Sequence, residues 1–179
     1  MENKVKNSKK KRNLIIISVG LILIVFFICS AYMITFNRFG HSPKQLSSNE
    51  GYEGELPNND ILIMYSYSGG WAYTQYGEFI LNDGKRYAFT CEKDPNNCRI
   101  KEKKSISNKD IKKIKSYESE LSDNTESKRN GADMGQTTIM YYNDGTMYTL
   151  AGKGDSTIKN NSTGAKKILR ILFKYGIYV

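Results

Sequence analysis

The sequence predicts an α+β protein: an N-terminal transmembrane helix, then a small ββα-ββα domain whose antiparallel sheet carries two helices on one face. Three observations predict it. Leu14 to Phe36 is a run of 23 residues without a charge. Further on, strand-like runs are joined by the turn tripeptide Asn-Asp-Gly, once at 82–84 and once at 143–145. Each of these hairpins precedes a stretch with helical apolar spacing. The two halves share one plan, as an ancient duplication would leave them.

Residues 1–13 form a basic tail with six Lys and Arg against one Glu, about +5 of the chain's formal +9. That leaves about +4 for everything after the apolar segment, so the folded part is only mildly basic. At 1.5 Å per residue, a helix over 14–36 is roughly 34 Å long, enough for a hydrocarbon core of about 30 Å. It has none of the polar stripe that a buried globular helix shows. Tyr32 and Phe36 stand where interfacial aromatics are found.

Lys4, Lys6, Lys9, Lys10, Lys11 and Arg12 precede the apolar segment, and only Arg38 and Lys44 follow closely. Cations are retained on the cytoplasmic side, which places the N-terminus in the cytoplasm and the C-terminal domain outside the cell membrane. A cleaved signal peptide is the rival reading, with Cys29-Ser30-Ala31 as a small-residue cleavage site. Its apolar region runs to about 7–15 residues, shorter than this one. A lipid-anchored Cys29 would follow small residues, whereas Phe27 and Ile28 precede it here. The KKKR run beside the span reads as a topology signal, with anionic inner-leaflet lipid as a further contact.

Residues 37–60 are polar and rich in Gly, Ser, Asn and Pro, the composition of a flexible linker. The only histidine, His41, falls here and is expected to be solvated. Residues 61–179 are then one extracytoplasmic α+β domain, long enough for its own core. Ile61 to Tyr67 reads as a strand stopped by Ser68-Gly69-Gly70. Trp71 to Leu81 is the second and Lys85 to Glu92 the third, with Tyr87, Phe89 and Cys91 on one face by the two-residue period. Asp-Gly between two such runs accepts the positive φ angles of a tight turn.

A helix is expected over 107–121, capped by Ser107 with Asp110 three residues on. Ile111, Ile114, Tyr117 and Leu121 form its apolar stripe, with Lys109, Lys112, Lys113 and Lys115 around it. A polar loop from Ser122 to Gly135 leads to strands at 136–142 and 146–150. Thr163 is the expected cap of a last helix over 164–175, which buries Ile168, Leu169, Leu172 and Phe173.

A single linker histidine excludes a Ser-His-Asp triad, a Cys-His pair and an HExxH zinc site within this chain. Gly152-Lys153-Gly154 lacks the spacing of a phosphate loop. Glu78, Asp83, Asp144 and Asp155 are explained by turns and strand faces. No catalytic residue, metal site or cofactor is expected, and the topology argues against nucleic acid. Cys91 and Cys98 flank a turn-like insert; they form either a disulfide or two thiols, one of them buried. The basic stretch from Arg99 to Lys115 is either a solvated face or a contact for anionic envelope polymers or lipid head groups.

Ser68, Gly69, Gly70, Trp71 and Tyr73 are the candidate binding residues. Two glycines let the backbone bend or approach a partner, and the chain's one Trp follows, with Tyr65, Tyr67 and Tyr76 nearby. Exposed aromatics at a rigid loop anchor interfaces; a core Trp beside a β-bulge is the alternative. The stretch Ser68-Gly69-Gly70-Trp71-Ala72, within its order of strands and helix, resembles the emfourins, small protein inhibitors of thermolysin-like metalloproteases. The likeness covers about 100 residues. Emfourins have Phe and then Ala-Gly where this chain has Trp71-Ala72-Tyr73, and they lack a membrane anchor.

The expected function is a single-pass, membrane-anchored protein with a non-catalytic extracytoplasmic binding domain for a protein or an anionic envelope component. One alternative is a membrane-tethered protease inhibitor or immunity-type protector that uses the SGGW stretch as a plug, as the resemblance implies. Another is a structural or sensory subunit of a membrane complex.

Overall fold

A computed structural model of the chain describes residues 43–179, apart from positions 58, 70–73, 93, 95 and 132–134. The chain divides into two units, 1–39 and 40–179. The basic tail, the apolar segment 14–36 and the linker up to His41 lie outside the described residues. Among those described, no helix is long and apolar enough to cross a membrane.

The second unit is built on one antiparallel sheet. In chain order its elements are β1 (Tyr52–Gly54), β2 (Ile61–Gly69), β3 (Thr74–Leu81), β4 (Arg86–Glu92), β5 (Cys98–Lys103), α1 (Asn108–Ser116), β6 (Thr125–Arg129), β7 (Gln136–Asn143), β8 (Thr146–Gly154), β9 (Ser156–Asn160) and α2 (Thr163–Phe173). The strands lie in the order β1-β5-β4-β3-β2-β7-β8-β9-β6. This corrects the ββα-ββα plan with two helices on the face of a small sheet: the described residues form a nine-stranded sheet, and four of its strands have no counterpart in that plan. Those four are β1, β5, β6 and β9. All four sit at or next to an edge of the sheet, with polar, charged sequences such as CRIKEK and TESKR. Edge strands bury little, so they need no apolar alternation, and charge along them discourages pairing with other chains.

The chain is already ordered at Pro43. Leu46 is buried, its N–H donating to Thr90 Oγ1 at 2.8 Å, and β1 pairs with β5 through Tyr52↔Ile100 and Gly54↔Cys98. Residues 43–54 of the expected linker are thus a strap on the sheet rather than a tether.

The β2–β3 pairing contains a bulge between Ile61 and Ile63. A bulge turns consecutive side chains toward one side, and Leu62 and Ile63 both enter the main core. That core joins β2, β3, β7 and β8 through Tyr65, Ile80, Ile139, Tyr141 and Leu150 to Ile111 and Ile114 of α1 and Ile168 and Leu172 of α2. A second cluster on the opposite side of the sheet holds Met64, Phe79, Phe89, Cys91, Cys98 and Ile100.

Helix α1 starts as its sequence dictates, with Ser107 Oγ accepting from the Asp110 N–H at 3.2 Å. It ends at Ser116, five residues short of the expected stop, in a single 3₁₀ turn over Glu118–Glu120. That turn delivers Glu118 to the sheet, where its carboxylate accepts from Tyr141 Oη at 2.9 Å and from Asn143 Nδ2. In α2 the cap is Ser162, whose Oγ accepts from the Ala165 N–H at 3.3 Å, and Thr163 is the first helical residue. Phe173, expected inside, is half exposed.

Cys91 and Cys98 are bonded. They are cross-strand partners in β4–β5 with Cα atoms 4.2 Å apart, a narrow pair in an antiparallel ladder, and both are buried. The bond ties the cation-rich edge of the sheet to its interior. Closing so short a loop is worth about 2.5 kcal/mol in the chain-entropy account. Reduction should therefore lower the unfolding midpoint of the full chain by several degrees, and a Cys91→Ala/Cys98→Ala protein should be insensitive to reductant.

Candidate functional site

The most built-up polar site lies between the strap and the β3–β4–β5 face that points away from the disulfide. Register explains its assembly. Glu78 of β3 is opposite Ala88 of β4, which is opposite Lys101 of β5; one step along, Ile80, Arg86 and Lys103 are aligned. Period-two alternation sends Glu78, Arg86, Ala88, Lys101 and Lys103 to one face, and Phe79, Phe89 and Ile100 to the other. The strap closes over this face and leaves a cleft of about 390 Å³ lined also by Pro43, Leu46, Glu50, Tyr65 and Tyr175.

Glu78 and Arg86 are the buried charges of the cleft, with side chains 10% and 9% exposed. Arg86 Nε donates to Glu78 Oε2 at 2.6 Å, its Nη2 pairs with the same oxygen, and its Nη1 donates to the Tyr175 carbonyl at 3.0 Å. Lys103 Nζ takes the other carboxylate oxygen. Tyr65, opposite Glu78 in β2, has its phenol pushed well above its ordinary range, chiefly by burial and then by the Glu78 charge. The lining carries Lys44, Arg86, Lys101 and Lys103 against Glu50 and Glu78, two more cations than carboxylates. Both oxygens of Glu78 are thus engaged by cations.

On β5 each outward cation meets a glutamate from a different segment. Arg99 pairs with Glu92 at 2.8 Å, Lys101 with Glu50 at 2.7 Å, and Lys103 with Glu78. Glu50 is the strap's latch. The Lys101 hydrogen bond, helped by the N–H and hydroxyl of Ser47, lowers its pKa from 4.5 to about 2. A depressed carboxylate contributes stability above its ordinary pKa and loses it as pH falls through the folded value. The latch should therefore hold at pH 5 and open between about 4 and 2. Side-chain NMR of Glu50 tests this, and in Glu50→Gln the strap amides of Leu46 and Ser47 should lose that pH response.

The residues singled out from sequence lie elsewhere. Ser68 and Gly69 end β2, paired with Gln75 and Thr74 across the hairpin, while Gly70, Trp71, Ala72 and Tyr73 lie outside the described residues. Gly69 is fixed as glycine: its φ is +150°, and a Cβ there would stand 2.3 Å from the Cα of Gly135. Gly69 therefore lies where two strand ends nearly touch, and neither Ser68 nor Gly69 lines the cleft. Neither do Cys91 and Cys98, which face the second cluster. What sequence reasoning missed is Glu78, a lone acid inside the apolar run TQYGEFIL at an inward position. An inward charge in such a strand announces a buried partner.

A second hollow, of about 620 Å³, lies at the turn ends of β2, β3 and β7, with Ile61, Met64 and Tyr142 beneath and Asn82, Asn143 and half-exposed Met147 around it. Among the described residues, no group of His, Cys, Asp and Glu is placed to hold a metal ion. Comparison with known proteins finds no matching family model, no matching curated protein and no matching solved structure.

Proposed function

We propose that this chain is a single-pass membrane protein that holds a non-catalytic binding domain on the extracytoplasmic side, with the Glu78–Arg86–Lys103 cleft as its binding site. The observation that carries the reading is the uncharged run 14–36 with six cations before it and two closely after it. Three features of the domain agree with it. The Cys91–Cys98 bond suits an oxidising compartment. A cleft of about 390 Å³ is within the range of small-ligand sites, about 300–1,000 Å³. Its buried carboxylate is neutralised by two cations, which favours recognition over acid–base chemistry.

The address and the site are tested separately. A reporter that is active only outside the cytoplasm, fused after Val179, should be active, and the full chain should leave membranes only with detergent. A reporter active only in the cytosol would overturn the reading. For the site, a photo-cross-linker replacing Ala88 in living cells should give a discrete adduct that disappears when Lys103→Glu is added.

A further inference from the structure

The helices carry more positive charge than the whole unit does. Residues 43–179 hold twenty Lys and Arg against seventeen Asp and Glu. Residues 107–120 and 162–174, which comprise α1, the 3₁₀ turn and α2, hold eight against three. The helix layer is thus +5 and the remainder −2. Lys167 pairs with Glu120 at 2.7 Å, and Lys174 lies 3.7 Å from Asp110. The exposed Lys109, Lys112, Lys113, Lys115, Lys166 and Arg170 have no ion pair among the described residues.

Two further observations give this charge a direction. Phe173 is 50% exposed on α2, one turn from Arg170, and rests against Tyr178 with ring centroids 5.3 Å apart. Cations around an exposed aromatic on one helix face are the make-up of an interfacial membrane contact. The strap also starts here: Pro43 lines the same cleft as Tyr175 and Gly176, two and three residues beyond Phe173. Only residues 37–42 separate Pro43 from the apolar segment, and six residues reach at most about 20 Å.

We infer that the α1–α2 layer docks on the anionic phospholipid surface of the bilayer that anchors the chain, its lysines against headgroup phosphates and Phe173 at the acyl boundary. The inference rests on the membrane-anchored reading above. Such a contact keeps the cleft close to the bilayer surface, and it weakens with salt as the Debye length shrinks from about 10 Å at 0.1 M to about 3 Å at 1 M.

The full chain in lipid nanodiscs provides the test, read by mass spectrometry after acylation with a water-soluble lysine reagent. In discs containing phosphatidylglycerol, Lys109, Lys112, Lys113, Lys115 and Lys166 should react at least about threefold more slowly than in pure phosphatidylcholine discs. Lys128 on β6 should react equally in both, and high salt should abolish the protection. Lys112→Glu with Lys166→Glu should restore the reactivity of Lys109 and Lys115 and leave thermal unfolding unchanged, since both sites are exposed. Equal reactivity in the two discs overturns the docking and leaves anchoring intact. Protection by soluble polyphosphate but not by phosphatidylglycerol overturns it in favour of a polyanion. Failure of the chain to enter either disc overturns the anchored reading and the docking with it.

Discussion

Replacing Glu78 with Ala should cost about 3–5 kcal/mol, the largest loss expected from a single side-chain truncation in the cleft. Glu78 is buried and accepts from two cations at once. Its removal leaves Arg86 with one protein acceptor, the Tyr175 carbonyl, while that guanidinium stays about nine-tenths buried. The half-exposed Lys103 can turn to water, so Arg86 carries most of the penalty. In a unit of this size, each kcal/mol moves the midpoint by about 3 °C, so a drop of roughly 10 °C is expected in calorimetry.

The complementary double variant separates pairing from packing. Glu78→Met with Arg86→Leu removes both buried charges and keeps apolar volume, and such exchanges are often near neutral. The double variant should therefore recover most of the loss. If it is as unstable as Glu78→Ala, the buried pair is not the source of the effect. The same protein would show whether the cleft is held for recognition, because a site kept for binding loses its ligand even when its stability returns.

Gly77→Ala should be nearly as damaging, although it adds only one carbon. Gly77 is in β3, and a Cβ at that position would stand 2.0 Å from the Tyr65 carbonyl oxygen and 2.7 Å from the Ser66 Cα, both backbone atoms of the central strand β2. Backbone in the middle of a sheet cannot rotate aside as a side chain does. Its cross-strand partner in β4, Phe89, is fully buried, so that side of the strand has no solvent to yield into either. Overpacking of a core costs about 1–3 kcal/mol where side chains give way, and the upper end or beyond is expected here. Gly131→Ala is the control: nothing lies within 4 Å of its Cβ, though its φ of +104° still brings some backbone strain. Chemical denaturation of the two variants should place Gly77→Ala well below Gly131→Ala.

Parts of this architecture were legible because burial leaves a periodic trace. Strand β7 buries every second side chain, β2 to β4 show as apolar runs buried on both faces of the sheet, and the β3–β4 and β7–β8 hairpins both turn on Asn-Asp-Gly, with Asp144 at φ +43°. The helices show their buried residues at helical spacing, Ile111 and Ile114 in one and Ile168 and Leu172 in the other. Strands β5, β6 and β9 left no such trace. All five residues of β6 are exposed, and the last three of β5 are too, so solvent permits any polar sequence there. The strap was illegible for a related reason. It is held by one buried leucine, a threonine hydroxyl, the Glu50–Lys101 ion pair and three residues of edge pairing with β5, and none of these leaves an apolar period.

By itself, the sequence determined the charge step across residues 14–36, the two Asn-Asp-Gly turns and the apolar faces of the helices, because each of these depends on neighbours in the chain. Tertiary structure alone decided that Glu78, Arg86 and Lys103 meet, that residues 43–50 close over them and that the helix layer collects the positive charge. Glu78 and Lys103 stand 25 positions apart, and Leu46 and Thr90 stand 44 apart. Contacts at such separations are set by strand order and register, which pairing energies summed over the whole sheet select and which no local pattern records.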